Sequence, residues 1–306
     1  MRKIIVTILF FVSIQLAYSQ HIPLYSQYIF NGLVLNPAFT GSRECLSITL
    51  DYRAQWISIE GAPNTFSFSA HAPLKNEKMG IGLTVQNDKI GVTNMSSIFP
   101  SYSYKLKLSE NYNLRFGLNA ALDLFSNRWG EVSTITENDP SFDGGNVNYY
   151  IPNVGSGLLL ESEKLFMGIS IPKFLSHKFS DTENRPKVYH SLSNYNYNFY
   201  VGSFINVNDD FTIKPSVLLR YVKGSDFQLD LTAILNYKNI LEFGLGIRSQ
   251  DAILGFINVP INDQFKFGYV YDYTMSNLNG FTYGSHEIIL RYEFGYKIKA
   301  QSPRII

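Results

Sequence analysis

From Gln264 to Phe294 the chain alternates in twos. Phe265, Phe267, Tyr269, Tyr271 and Tyr273 fall on one side of an extended backbone, and Gln264, Lys266, Gly268, Asp272 and Thr274 on the other. After a polar loop the rhythm resumes, with Ile288, Leu290, Tyr292 and Phe294 against Glu287, Arg291 and Glu293. Period two marks a strand with unlike surroundings on its two faces. In a soluble sandwich the apolar face is core and the polar face is wet. Here the apolar face is crowded with aromatics and the polar face carries full charges, which fits lipid outside and a polar interior. The expectation is an all-β chain, a single transmembrane antiparallel β-barrel of about 14 strands with short periplasmic turns and longer extracellular loops.

Composition agrees where it bears on this reading. The chain holds 21 Tyr and 23 Phe against 2 Trp, an excess suited to strands and interfacial girdles. Charged residues make up 17%, below the roughly 25% of ordinary globular domains. A net charge of +1 offers no basic surface for nucleic acid. With Cys45 the single cysteine, neither an internal disulfide nor a thiolate metal cluster is available. Arg2 and Lys3, the apolar run Ile4 to Leu16 and the small-residue site Ala17-Tyr18-Ser19 read as a signal peptide cut after Ser19. Its apolar run is shorter than the ~20 residues of a spanning helix. The expected layout is a signal peptide over 1–19 and an outer-membrane barrel domain over 20–306. Within that domain, residues 20–42 form an N-terminal periplasmic or plug-like segment packed near the barrel mouth.

Strands are predicted at about 44–53, 65–73, 78–87, 95–108, 112–125, 153–161, 164–172, 195–206, 211–222, 227–236, 239–248 and 251–259, before the closing pair. Polar gaps at Ser126–Tyr150 and Lys173–Asn194 fall after the fifth and seventh strands. With both ends periplasmic, every even-numbered connection is short and both long gaps face outward, which is the parity of outer-membrane barrels. Pro100 and Pro215 interrupt strands and predict bulges or strand ends. Inward glycines (Gly82, Gly117, Gly157, Gly168, Gly244, Gly246, Gly268) predict relief of crowding in strongly tilted strands.

The predicted lumen face collects seven acids, Asp51, Asp123, Asp230, Glu242, Asp272, Glu287 and Glu293. Seven bases match them: Arg53, Arg115, Lys214, Arg220, Arg248, Lys266 and Arg291. A balanced set suits a salt-bridged interior better than a conduit for charged solutes. The histidines show no zinc-site spacing, and His286 and Glu287, being adjacent, point to opposite faces of a strand. No nucleophile elbow or phosphate loop is present, and Gly244 and Gly246 open no helix. Cys45 reads as a small packed residue rather than a nucleophile.

Ordered sequence blocks carry a resemblance to a known family. They are Tyr25-Ser26-Gln27-Tyr28-Ile29-Phe30-Asn31, Leu35-Asn36-Pro37-Ala38-Phe39-Thr40-Gly41, Tyr52-Arg53-Ala54-Gln55-Trp56, Gly61-Ala62-Pro63, Asn87-Asp88-Lys89-Ile90-Gly91, Lys214-Pro215 through Arg220-Tyr221, Gly268-Tyr269, Tyr271-Asp272-Tyr273-Thr274, and Gly284-Ser285-His286-Glu287-Ile288. Across nearly the whole mature chain this resembles the PorP/SprF family of Bacteroidota outer-membrane proteins from type IX secretion and gliding systems. Gly32 departs from it, where family members often have proline. The resemblance implies a barrel without enzymatic activity or cofactor, seated in outer-membrane lipid. It also implies a role in secreting or anchoring a large adhesin-like surface protein, and association with periplasmic type IX machinery. Family-typical positions carried over are Tyr25, Ser26, Gln27, Tyr28, Asn31, Asn36, Pro37, Gly41, Arg53, Trp56, Asp88, Gly91, Tyr221, Tyr271, Asp272, Tyr273, Ser285, His286 and Glu287. The alternative function is an outer-membrane transporter or porin for small solutes or hydrophobic compounds.

Overall fold

The computed structural model describes residues 25–75, 77–131, 146–179, 186–190, 195–222 and 225–295. The signal peptide and its cut after Ser19 lie outside them. Alternation yields β1 (Leu46–Ala54), β2 (Asn64–Pro73), β3 (Met79–Ile90), β4 (Thr93–Lys107), β5 (Asn113–Arg128), β6 (Asn146–Glu161) and β7 (Leu165–Ile171). There follow β8 (Leu175–Phe179), β9 (Pro186–His190), β10 (Asn196–Ser203), β11 (Ile205–Asn206) and β12 (Phe211–Val222). The chain then runs through β13 (Gln228–Tyr237), β14 (Leu241–Arg248), β15 (Ala252–Pro260), β16 (Phe265–Thr274) and β17 (Ser285–Phe294).

Each strand pairs antiparallel with its neighbour, β10 pairs with both β7 and β12, and β1 pairs with β17. With β11 a two-residue continuation of β10, the wall is a closed 14-stranded barrel. Closure follows from the solvent. An unpaired backbone N–H or C=O in hydrocarbon costs several kcal/mol, so a lipid-facing sheet cannot keep an edge. Connections at the end shared by β1 and β17 span only 74–78, 108–112, 162–164, 207–210, 238–240 and 261–264. The longest, 129–145 and 172–195, lie at the other end. Short turns face the periplasm in such barrels, which orients the molecule.

The two faces separate as the alternation requires. Leu118, Leu245, Ile247 and Ile288 are exposed on the outer wall. Aromatics gather at both rims: the stacked set Tyr197, Tyr221 and Phe227 at the outer one, and the pairs Phe211–Tyr237 and Tyr292–Phe294 at the periplasmic one. Inside, thirteen of the fourteen predicted lumen charges are buried, and Glu293 is half-buried.

Four expectations are refined. The gap after β7 holds a separate antiparallel hairpin, β8–β9, and β6 begins inside the first gap. Tyr195, within the stretch predicted as the eighth strand, precedes β10 and is buried edge-on against Phe174 with ring centroids 5.3 Å apart. At Pro215 the facing strand breaks between β10 and β11, while opposite Pro100 the β4–β5 ladder merely skips Phe99 and Pro100. Residues 25–41, before β1, do not stop at the barrel mouth; they lie within the lumen.

Candidate functional site

Residues 25–41 have no strand periodicity, yet almost all are buried. They cross the lumen as a plug, from the outer half at Tyr25 to the periplasmic end at Gly41. Two short 3-10 turns, Gly32–Val34 and Pro37–Phe39, compact the path. Pro37 holds Asn36 extended (φ −146°), and the Asn36 side chain caps the second turn by accepting from Ala38 N. Gly41, at φ +65°, turns the chain toward β1.

Two sets of partners hold the plug. In the outer half, the Glu287 carboxylate accepts Ser26 N and Gln27 N, each at 2.8 Å. Ser26 Oγ donates to Asp272 and accepts from Arg53 and Arg248, while Arg220 donates to Tyr25 O. Arg53 bridges Asp272 (2.6 Å) and Glu287 (3.0 Å), and Arg248 bridges Asp230 and Asp272. In the inner half, Arg291 donates to Phe30 O and lies over the Phe30 ring. Asn36 donates to Tyr200 Oη, Leu158 O and Ile169 O, and Tyr200 stacks on Phe39. Arg115–Glu161 and Lys214–Glu242 close further pairs on the wall. Pairing of this density answers the desolvation that burial imposes on the ions it joins.

The inward glycines have a sharper role than relief of tilt. A Cβ on Gly117 would overlap the Pro37–Ala38 backbone, one on Gly157 the Asn36 side chain, and one on Gly80 the Thr40 carbonyl. They are the places where the wall admits the plug. Burial pushes the Tyr25 and Tyr28 phenols above the usual tyrosine range, and Tyr28 Oη shares a hydrogen bond with Ser216 Oγ. Burial likewise pushes the Cys45 thiol up, away from thiolate chemistry.

Most family-typical positions thus converge. Tyr25, Ser26, Gln27, Tyr28, Asn31, Asn36, Pro37 and Gly41 are plug, and Arg53, Asp272 and Glu287 grip it. Asn31 accepts from Ser69. The others sit apart. Asp88 is buried and accepts from Thr65. Gly91 (φ +53°) turns β3 into β4. Trp56 N donates to Ser285 Oγ, joining the β1–β2 loop to β17. His286 contacts Tyr269 and Tyr271 on the outer face, opposite to its neighbour Glu287; Tyr221 and Tyr273 also face outward. Arg248 and Arg220 were legible as lumen charges but not as plug ligands, and Tyr200 was not legible at all.

Above the plug lies a vestibule of about 530 Å³. Leu33, Leu35 and Pro37 of the plug form its floor, and the Pro172–Ser176 segment reaches its rim.

The lipid-facing band, rim aromatics and closed wall define an integral outer-membrane β-barrel, here one filled by its own N-terminal segment. The model of the type IX secretion system membrane protein PorP/SprF matches residues 17–292, and the chain belongs to that family. No curated protein matches the sequence. Among solved structures, the CymD monoaromatic hydrocarbon channel superposes with a TM-score of 0.52 at 14% identity, covering 87% of this chain and 93% of that one. Omp33 of Acinetobacter baumannii gives 0.47 at 9% identity over 83% and 100%. A Pseudomonas aeruginosa FadL homologue gives 0.46 at 9% over 90% and 95%. At these identities the likeness is one of fold.

Proposed function

We propose that this barrel is a non-enzymatic component of the type IX secretion and gliding system that helps export a large adhesin-like protein or anchor it at the cell surface. The family match across residues 17–292 carries the reading. A lumen crossed by a bonded plug supports it, because such a lumen suits holding a partner at the outer mouth better than passing solutes. The same reading takes 1–19 as a cleaved signal and 20–306 as the mature barrel. It assigns Tyr25, Ser26, Gln27, Asn36, Arg53, Asp272 and Glu287 to seating the plug, and leaves periplasmic machinery to the short-turn end. Deleting the gene and cataloguing surface proteins tests it. Loss of one or a few large surface proteins is expected, and an unchanged surface complement refutes it.

A second reading, a channel for hydrophobic compounds, is favoured by the apolar side chains of the vestibule. Planar-bilayer recording separates the two. A steady open conductance in the native protein supports transport, and a silent barrel supports anchoring.

A further inference from the structure

The lumen charges balance in number but not in place. In the outer half, Arg53, Arg220 and Arg248 are paired with Asp230, Asp272 and Glu287. At the periplasmic end, beyond the Arg115–Glu161 pair, Lys214, Lys266, Arg291 and Arg43 stand against Glu242 and Glu293. Both acids are engaged. Glu242 holds Lys214 at 2.8 Å and accepts from Asn236 and Asn258. Glu293 serves Arg43 and Arg291 together. Lys266 is left over. It faces inward near the start of β16, is 5% exposed, and has no hydrogen bond or ion pair with any described residue, Asp263 of the neighbouring turn included. The charges acting on it are Arg291, Arg43, Glu293 and Glu242. Its cross-strand neighbours give no relief: Arg291 stands directly opposite on β17, and Pro260 on β15. Like charges directly opposite destabilise a sheet, and an ammonium taken out of water needs a counter-charge. Residues 296–306 add Lys297, Lys299 and Arg304 and no Asp or Glu. Gln27 Nε2 and Asn258 Oδ1 are sealed off, but the Lys266 ammonium keeps some exposed surface. It lies inside the wall beside the turn 261–264, so lipid headgroups around the barrel are screened from it and an anion reaches it from the periplasm. So narrow an opening suits a carboxylate on a slim side chain better than a bulky anion.

We propose that Lys266, with Arg43 and Arg291 beside it, is a periplasm-facing site for one carboxylate, presented by an acidic segment of a periplasmic protein. The ammonium takes the carboxylate directly, and the two guanidinium groups add their field. This rests on the type IX reading for the source of the segment, a periplasmic machinery protein, but not for the site.

The test offers the full-length barrel in detergent a library of acetylated, amidated hexapeptides carrying one Glu, each beside its Gln twin, with retention read by mass spectrometry. A water-soluble carbodiimide then joins any carboxylate in contact with an amine, and digestion locates the join. The native barrel should retain a subset of Glu peptides at least about tenfold better than their twins, with the join at Lys266. Lys266→Met should lose both, and Lys266→Arg should keep retention and lose the join; heat-modifiable gel migration establishes that each variant is folded. Without peptide, Lys266→Met should raise the urea midpoint, because it removes an unanswered buried cation. A lowered midpoint means that the barrel itself supplies the counter-ion, and overturns the proposal. No retention, or retention indifferent to Lys266→Met, overturns it too. So does stabilisation by acetate or inorganic phosphate that Lys266→Met abolishes while no Glu peptide is enriched, which marks a free small anion. In cells, Lys266→Met should lose the same surface protein as gene deletion. If deletion strips a surface protein while Lys266→Met does not and no Glu peptide is retained, the site fails and the secretion role stands. If Glu peptides are retained but deletion changes nothing at the surface, the secretion role fails and the site stands.

Discussion

Glu287→Gln should unseat the plug while leaving the wall intact. In the native protein the two carboxylate oxygens of Glu287 accept Ser26 N and Gln27 N, both at 2.8 Å, and Glu287 is completely buried. An amide keeps one acceptor and turns an –NH2 toward the second N–H. One charge-assisted hydrogen bond is lost and the other becomes neutral. Hydrogen bonds to charged groups contribute about 1.5–3 kcal/mol each and neutral ones about 1, so the seated state should lose on the order of 3 kcal/mol. At 1.4 kcal/mol per decade, the unseated population rises about 100-fold. The wall suffers less, because Arg53 keeps Asp272 at 2.6 Å. Single-channel recording in planar bilayers reads this as more frequent openings, and limited proteolysis as faster cleavage within residues 25–41. Arg53→Met is the control. It strips Glu287 of its strand partner and Ser26 Oγ of one of its two guanidinium donors, but spares the Arg248 donor and the two plug N–H groups, so it should raise opening less. An opening frequency within about threefold of native for a folded Glu287→Gln barrel, on a scale where 1.4 kcal/mol is tenfold, would refute the reasoning.

Three further outcomes are expected. Gly117→Val places side-chain atoms where the Pro37–Ala38 backbone runs, so the plug should become protease-sensitive while the barrel still migrates as a folded band. Asn36→Ala removes a helix cap and the donors to Tyr200 Oη, Leu158 O and Ile169 O, and should lower unfolding stability in urea by about 1–3 kcal/mol. Leu245→Arg, at a site 70% exposed on the outer wall, should cost about 2–4 kcal/mol if Leu245 lies at the bilayer midplane; folding yield into liposomes measures it.

The wall was legible in the sequence because its physics is local. A residue and its second neighbour share a solvent, so lipid and lumen print a period of two over each strand, and Leu114 to Leu124 can be read without knowing what they pair with. The plug prints nothing comparable. Asn36 meets Tyr200 and Leu158, and Ser26 meets Glu287, across sequence separations too large for any short window. Proline before a short turn was visible at Asn36-Pro37, but not the lumen that receives it. The β8–β9 hairpin escaped because its stretch is rich in polar residues and prolines, so hydrophobic alternation did not mark it. Inward glycines were visible as a pattern; the reason for Gly117 and Gly157 needed the plug in place.

Arg53 and Glu287 face each other across β1 and β17, the join where the first strand meets the last. Both also touch Ser26. The plug is therefore fastened to both lips of the joint at once, from within. Seam and cork share the same two side chains, and a chain shortened before Tyr28 would lose the latch on its own side seam.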